Sequence, residues 1–348
     1  MFKLQRPMAS GRPPEQPASR RRAALRASAI AAVGGACGLL APAWAPAQSF
    51  PAKPITLVVP FPPGGGVDPI ARLLSEKLGK ALGQPVVVNN RPGGGSSIGT
   101  GMVARAEPDG YTLLVTANTF AMAPHVLPKN LGYSFDVNRD FTPIAMISST
   151  PMLLLAHPSL NVRSAKELAG LARSGPALAY ASSGNGSPMH IAGELFNRAA
   201  GLGLLHSPYR GVGPALNDAL GGQVKLIYLG YGGAKPYIEA GRLVPLATVD
   251  KRRSALIPDL PTMEEQGFRD VFVDIWFGVY GPGGMPVEIA EKLNREINAA
   301  LREPDAVEHF RQRGEIVVGG PRDVLAKATR DDYERYGEIV KRFKIQAD

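Results

Sequence analysis

The segment at residues 55–72 constrains the fold most, because an apolar run rich in β-branched residues passes into Pro and Gly and then restarts as a helix. Residues 55–59 have the composition of a buried strand, and Asp68 followed by Pro69 is typical of an N-cap and a first helical residue. The three glycines between them leave backbone N–H groups unpaired, and the helix dipole behind these groups favours a carboxylate or a phosphate. The segment therefore predicts either an anion-binding turn or an ordinary packing turn of an α/β protein.

The first 47 residues have the layout of an export signal. Four arginines between positions 20 and 26 precede an apolar stretch of small residues, and Ala45-Pro46-Ala47 matches an A-x-A cleavage signal. A membrane anchor is a poorer match, because the apolar stretch is short, contains glycines and ends in prolines. We expect export with cleavage near Ala47, while the exact cleavage site and the choice between general secretory and twin-arginine export stay open.

Most of the net positive charge of the chain belongs to this leader. The chain has 39 Lys and Arg residues against 30 Asp and Glu residues, and the leader holds seven of the basic residues and one of the acids, so its removal lowers the net charge from +9 to +3. No basic stripe with interleaved aromatic residues follows, which argues against a nucleic-acid partner. The single cysteine, Cys37, also lies in the leader, which excludes disulfides, thiolate chemistry and Cys-ligated zinc from the mature chain.

Beyond the leader, short β-rich runs alternate with helical stretches, which is the pattern of parallel α/β architecture. Capping boxes at Ser164 and Thr262 predict helix starts, and Pro286 predicts another helix with one apolar face. The runs predicted as strands are residues 55–59, 86–89, 112–116, 144–147, 152–156, 178–181, 204–207, 224–229, 244–248, 277–280 and 316–318.

Three more Gly-rich turns follow predicted strands, at residues 91–97, 181–188 and 209–214. Ligands of open α/β sheets bind beyond the carboxyl ends of the strands, so turns of this kind from two lobes would face each other across a cleft. A small anion is the natural ligand of such a cleft. His190 lies one helical turn after the second of these turns, where it is either a packed residue or a donor to the anion.

Competing chemistries have weaker support. Residues 95–99 fit the G-x-S-x-G pattern of serine hydrolases, so a secreted hydrolase with Ser97 as nucleophile is a remote alternative, although no acid is marked as the partner of a base. No Walker A pattern, dinucleotide fingerprint, HExxH pattern or carboxylate cluster is present, so no cofactor and no metal are expected. The histidines that could serve as the base are His157, His190, His206 and His309.

Six ordered blocks make the chain similar to the periplasmic substrate-binding proteins of tripartite tricarboxylate transporters, the Bug family. The resemblance extends over nearly the whole mature chain. The blocks are VPFPPGGGVDPIAR (59–72), GQPVVVNNRPGGGSSIG (83–99), EPDGYTLLV (107–115), YASSGNGSPMHIAGELF (180–196), SPYRGVGPALNDALGGQV (207–224), and LPTMEEQGF (260–268) followed by WFGVYGPGGMP (276–286).

The resemblance implies a type II periplasmic-binding-protein fold of two α/β lobes, each with a mixed or parallel sheet flanked by helices. Two crossing strands would form the hinge, near residues 149–154 and 274–278, and the lobes would close on the ligand without catalysis. Lobe 1 would comprise residues 50–150 and 275–348, and lobe 2 residues 151–274.

Site residues are carried over from the family position by position. The positions that match ligand-binding residues are Phe61, Gly65 and Asp68 in the first-lobe turn, Thr116, Asn118 and Thr119 after the third strand, Ser183, Gly184, Gly186, Ser187 and His190 in the second-lobe turn, and Tyr209 and Gly211 in a PYKG-like segment.

Two departures from the family bear on ligand choice. Lys225 and Leu229 occupy positions where the family commonly has acids, and Ala123-Pro124 replaces the usual Asn-Pro. An acid near the cleft could accept from a ligand amine or hydroxyl, which Leu229 cannot do. We therefore expect Lys225 and Leu229 to form a specificity wall, and hypothesise a more apolar pocket for an aromatic or aliphatic carboxylic acid. Arg210, where the family commonly has Lys, is interpreted as a surface variation.

The resemblance predicts a monomeric solute-binding protein of the periplasm that captures a small carboxylate and delivers it to a large and a small membrane permease subunit. A ligand-presenting subunit of a sensor is an alternative within the binding class, and the sequence does not separate the two. It does not identify the ligand either.

Overall fold

In a computed structural model, the chain is described at residues 50–127 and 133–347; the predicted export signal lies outside these residues. The described part contains all eleven predicted strands, with ends that differ from the prediction by at most three residues. The strands are β1 (Ile55–Val59), β2 (Val86–Asn90), β3 (Thr112–Ala117), β4 (Phe141–Thr150), β5 (Met152–Ala156), β6 (Ala179–Ser182), β7 (Leu205–Pro208), β8 (Leu226–Gly230), β9 (Val244–Thr248), β10 (Ile275–Pro282) and β11 (Ile316–Val317).

These strands form two separate mixed sheets. The first has the order β11-β4-β10-β3-β1-β2, in which β1 runs parallel to β2 and β3 while β10 runs antiparallel to β3 and β4. The second has the order β7-β6-β8-β5-β9, in which β6 is parallel to both of its neighbours and β5 is antiparallel to both of its own. Strand β5 is buried at every residue, which requires cover on both faces of the sheet. Its sequence is therefore a continuous apolar run.

The chain passes between the two sheets twice. Pro151 alone separates β4 of the first sheet from β5 of the second, and the return runs from β9 through residues 249–274 into β10. The second sheet is thus built from one uninterrupted stretch of chain, whereas the first takes strands from both sides of it.

Ten α-helices flank the sheets in the described residues. They are α1 (Val67–Leu82), α2 (Ser97–Ala104), α3 (Thr119–Val126), α4 (Ala165–Ser174), α5 (Pro188–Ala200), α6 (Val212–Leu220), α7 (Tyr231–Glu239), α8 (Val287–Leu301), α9 (Pro304–Gln312) and α10 (Arg322–Phe343). Within the same residues, no helix combines the length and the apolarity that crossing a bilayer requires.

Helix starts follow the predicted signals with two differences. The Ser164 hydroxyl accepts from the Glu167 N–H at 3.1 Å and caps α4 as predicted. At Thr262 the capping-box hydrogen bonds form in both directions with Glu265, but the chain makes only a turn. Helix α1 begins at Val67, so Asp68 is a first-turn residue and not the N-cap.

Candidate ligand-binding site

A cavity of about 660 Å³ lies where turns from the two sheets meet. The first sheet and its helices contribute residues 60–62, which follow β1, residues 92–96, which follow β2, and Thr119 and Leu127. The second sheet contributes residues 183–185 and Ser187, which follow β6, and residues 208–211, at the end of β7. This is the position expected for ligands of α/β sheets, beyond the carboxyl ends of parallel strands.

The turn after β6 leads directly into a helix that begins at the cavity. Gly184 and Gly186 have positive φ angles of 130° and 74°, which L-residues adopt only at a cost in energy. The Ser187 side chain caps α5 by accepting from the His190 N–H at 3.3 Å, and Pro188 is the first helical residue. The turn therefore places the N-terminus of a 13-residue helix against the cavity wall.

Two backbone donors of this turn remain available. The N–H groups of Ser183 and Asn185 have no acceptor among the described residues, and both residues line the cavity. Two other hydrogen bonds fix the backbone of the turn: Gly184 N–H donates to the Ser182 hydroxyl, and Gly211 N–H donates to the Ser183 carbonyl. Neither of them involves the N–H of Ser183 or Asn185. A carboxylate at this point would receive hydrogen bonds from groups that are already fixed in place.

The turn after β1 is held by Asp68 from outside the cavity. The Asp68 carboxylate is buried and accepts from Gly64 N–H at 3.0 Å, from Arg72 at 2.9 and 3.2 Å, and from Asn90 at 3.0 Å. Asn90 also donates to the carbonyl of Phe61, which lines the cavity. Burial by itself would raise the pKa of Asp68, but the hydrogen bonds from Arg72, Gly64 and Asn90 outweigh burial and lower that pKa.

The turn after β2 adds a wall whose residues are Gly-rich in the sequence but are absent from the binding residues predicted from the family. Gly93, Gly94, Gly95 and Ser96 have consecutive positive φ angles between 57° and 123°. Tyr133 holds this backbone, because its hydroxyl donates to the Gly95 carbonyl and lies 3.2 Å from the Ser96 hydroxyl. The recurrence of Gly-rich turns after strands was the signal that could have identified this wall.

The cavity contains only part of the set of residues predicted from the family. Seven of the thirteen predicted ligand-binding residues line it: Phe61, Thr119, Ser183, Gly184, Ser187, Tyr209 and Gly211. The other six are not among its lining residues: Gly65, Asp68, Thr116, Asn118, Gly186 and His190.

Thr116 and Asn118 are used inside the protein. Both are fully buried, and the Thr116 hydroxyl donates to the Ala117 carbonyl. The Asn118 side chain donates to the Asp274 carbonyl at 2.7 Å and to Asp332 at 3.4 Å, which connects the end of β3 with the start of β10 and with α10. Their role in the structure is to fix the junction from which Thr119 reaches the cavity.

His190 is a packed residue in this structure. Its ring stacks on His206 at 4.0 Å with an interplanar angle of 9°, and its Nδ1 accepts from Gly186 N–H at 3.2 Å. Burial, with a smaller contribution from His206, lowers the pKa of His190 to about 3, so the ring is neutral at physiological pH. His190 thus helps to hold the turn after β6. Of the two roles left open by the sequence, the structure shows the packed one.

Lys225 and Leu229 do not line the cavity. Leu229 is 3% exposed and lies within β8 opposite Leu153, beside Gly233 of α7. Lys225 precedes β8, at the far end of the strand from the cavity, and its carbonyl accepts from His157 N–H. This arrangement gives no support to the expected specificity wall. The apolar surface of the cavity comes instead from Phe61, Leu127, Tyr209 and prolines.

The charge of the cavity lining is one-sided. Arg210 is the only charged residue among the described lining residues, and no Asp or Glu lines the cavity. The family comparison placed Arg210 on the surface; it is indeed exposed, but it also lines the cavity. A ligand anion is thus favoured, while a ligand ammonium group would find no carboxylate partner on these walls.

The hydrolase and metal alternatives have no geometric support. Ser97 is the first residue of α2, is 2% exposed and does not line the cavity. In the described part of the chain, no group of three or more His, Cys, Asp or Glu side chains could hold a metal ion.

Comparisons with known proteins agree with this architecture. Residues 70–345 match the family model "Tripartite tricarboxylate transporter family receptor". The periplasmic binding protein BugD is 34% identical, with a TM-score of 0.79 over 85% of this chain and all of that one. Rpa4515 of R. palustris, solved with adipate, is 32% identical, with a TM-score of 0.79 over 85% of this chain and 98% of that one. MatC (Rpa3494) of Rhodopseudomonas palustris, with bound malate, is 31% identical, with a TM-score of 0.78 over 84% of this chain and all of that one.

These similarities confirm the two-lobed α/β fold of the periplasmic binding proteins. They also confirm that the protein is a binding receptor and not an enzyme, because receptors are what this family contains. The chain belongs to the tripartite tricarboxylate transporter receptor family, the periplasmic solute-binding proteins that include BugD.

Proposed function

We propose that this protein captures a small carboxylate in the cavity between its two sheets and delivers it to the large and small permease subunits of a tripartite tricarboxylate-type transporter. The observation that carries the proposal is the turn at residues 183–187, where two available backbone N–H groups and the start of α5 meet the cavity. Each charge-assisted hydrogen bond contributes about 1.5–3 kcal/mol, so a few of them with apolar burial can reach the roughly −8 kcal/mol of micromolar binding.

We propose that lobe 1 comprises residues 50–150 and 275–348 and that lobe 2 comprises residues 151–274. The two passages of the chain between the sheets, at Pro151 and at the start of β10, support this division. The lobes would rotate about these passages to admit and enclose the ligand, and the enclosed form of a monomer would dock on the permease. The export signal would be removed near Ala47 on the way to the periplasm.

We propose an aromatic or aliphatic acid as the ligand. Phe61, Leu127 and Tyr209 supply apolar contact, and the lack of an acid among the described lining residues disfavours amino acids. Adipate in Rpa4515 and malate in MatC show that relatives of this chain hold small dicarboxylates, and adipate has the apolar middle that these walls suit.

The experiment is a thermal-shift and calorimetric screen of mature protein purified from the periplasm. Each acid is paired with its carboxamide, because the pair differs in charge but hardly in size. A ligand that binds only the folded state raises the melting temperature with concentration. We expect acids to bind and amides to fail, with Ser97→Ala as a control that leaves binding unchanged. Equal binding of acid and amide, or a response only to amino acids, would contradict the proposal.

A further inference from the structure

His206 lies on β7, the edge strand of the second sheet next to β6, and is not among the residues that line the cavity. Paired residues of neighbouring strands point to the same face of a sheet, as do alternate residues of one strand. His206 pairs with Tyr180 of β6, so its side chain lies on the same face as Ser182 at the end of that strand. Helix α5 covers this face closely, since a Cβ atom on Gly193 would lie 2.2 Å from the Tyr180 ring.

The half-buried imidazole of His206 contacts both groups that hold the turn after β6. Its Nε2 lies 2.6 Å from the Ser182 hydroxyl, which accepts from Gly184 N–H at 3.1 Å. The face of its ring stacks on His190, whose Nδ1 accepts from Gly186 N–H at 3.2 Å. One side chain thus reaches the anchor of Gly184 through its edge and the anchor of Gly186 through its face.

The backbone donors of this turn alternate between held and available ones. The N–H groups of Gly184 and Gly186 point to the two anchors, whereas those of Ser183 and Asn185 have no acceptor among the described residues. Each peptide group is a rigid plane with two soft dihedral angles per residue between planes, so fixing alternate groups also restricts the groups between them. The direction of the two available donors therefore depends on both anchors.

The anchor at Ser182 depends on the imidazole for a partner outside the turn. Ser182 is fully buried, and besides His206 its hydroxyl contacts the N–H and, at 3.3 Å, the carbonyl of Gly184. A buried hydroxyl that loses a hydrogen-bond partner is costly, because water does not replace that partner. Loss of the imidazole would leave the hydroxyl bonded only within the turn that it holds.

We propose that His206 is a positioning residue for ligand binding, which fixes the direction of the Ser183 and Asn185 N–H groups through Ser182 and His190 without contacting the ligand. The inference rests on the proposed function, since it assumes that these N–H groups bind a ligand carboxylate. Affinity should then depend on a side chain outside the cavity lining.

The test separates the two contacts of the ring. Calorimetry measures the binding of adipate, hexanoate and benzoate to mature wild-type protein and its variants, and urea denaturation measures their stability. His206→Phe keeps a flat ring but loses the bond to Ser182, whereas His206→Gln keeps a hydrogen-bonding group near the position of Nε2. His157→Phe is the matched control: His157 is also half-buried in the second-sheet segment, its Nδ1 lies 2.8 Å from the Ser159 hydroxyl, and it does not line the cavity.

We expect H206F to weaken binding about five- to tenfold and H206Q less than about threefold. H157F should change affinity less than about twofold, even where it lowers stability as much as H206F does. Ser182→Ala should weaken binding about as much as H206F, and the double variant S182A/H206F no more than either, because both substitutions remove the same anchor.

The outcomes distinguish the two proposals. Unchanged affinity in H206F, additive losses in the double variant, or an equal loss in H157F would overturn the role of His206 and leave the proposed function standing. If H206F does not fold, S182A and H206Q decide: a loss in S182A with near wild-type affinity in H206Q supports the role, and any other result overturns it. Wild-type protein that binds none of the three acids would overturn the proposed function, and the role of His206 with it.

Discussion

Replacement of Gly186 by Ala should weaken ligand binding in addition to destabilising the fold. Gly186 lies in the turn after β6 of the second sheet and has a φ of +74°. A Cβ atom at this position would lie 2.7 Å from the Cα of Ala123 in α3, which packs on the first sheet. The residue therefore stands at a point where the two halves of the protein are in contact, within one compact unit that begins at Phe50.

The perturbation has two separable parts. A positive φ costs an L-residue about 1–2 kcal/mol, and this part destabilises the fold wherever it occurs. The added Cβ atom would meet the Ala123 backbone, which cannot turn aside as a side chain could. The turn at Gly186 and helix α3 would therefore have to separate by at least 0.7 Å, the difference between 2.7 Å and the 3.4 Å at which ordinary contact begins. A ligand held from both sides would then lose about one charge-assisted hydrogen bond, which corresponds to a roughly ten- to hundredfold weaker affinity.

Gly201 provides the matched control. It has a φ of +62° at the C-terminus of α5, and a Cβ atom there would meet nothing within 4 Å. We expect Gly186→Ala and Gly201→Ala each to lower the free energy of unfolding in urea by about 1–2 kcal/mol. Only Gly186→Ala should lower the affinity measured by calorimetry. If the two variants bound the ligand equally well, the contact between Gly186 and Ala123 would not belong to the ligand-bound form, and the reasoning would fail.

Three further predictions concern residues around the cavity. Asp68→Asn should lower the free energy of unfolding at pH 7 by about 1–3 kcal/mol. Because the folded state lowers the pKa of Asp68, the carboxylate stabilises the fold above its unfolded pKa of about 3.9 and loses this effect as the pH falls. In urea denaturation, stability should therefore fall less steeply towards acid pH in the variant than in wild type, and equal slopes would contradict this prediction. Ser187→Ala and Ser164→Ala should each cost about 1 kcal/mol as lost N-caps, but only Ser187→Ala should weaken binding, so equal affinities would place Ser187 outside the site. Leu229→Ala should cost about 2–5 kcal/mol in urea denaturation without changing the order of ligand preference, and a changed order would restore the specificity wall.

Local patterns in the sequence were enough to place the strands. Runs such as residues 152–156 are rich in apolar residues and bounded by Pro, His or Gly, and such signals depend on neighbours in the chain alone. The same holds for the cap at Ser164 and for the Gly-rich turns after β1, β2 and β6. The turn at Thr262 shows the limit of this reasoning, since its capping-box hydrogen bonds form but the chain does not continue as a helix.

Ligand contacts are harder to predict from the sequence than strands, because a polar side chain near a turn can serve either the ligand or the protein. Asp68, Asn118 and His190 were all assigned to the ligand, yet each is buried and bonded within the protein. Conversely, Arg210 was assigned to the surface and lines the cavity. The ligand contacts expected at the family positions stay predictions, and in the structure seven of those thirteen positions line the cavity.

The sequence by itself determined the order of strands and Gly-rich turns along the chain. It also predicted an export signal and an anion as the ligand that Gly-rich helix starts favour. These properties arise from backbone conformation and from neighbours within a few residues. Only the tertiary structure decided which groups remain available to a ligand, because the partners that compete with the ligand come from distant parts of the chain. Asn90 pairs with Asp68, Asp274 and Asp332 pair with Asn118, and His206 stacks on His190. Within the described part of the chain, folding brings no such partner to the Ser183 and Asn185 N–H groups or to the Arg210 side chain, and all three residues line the cavity.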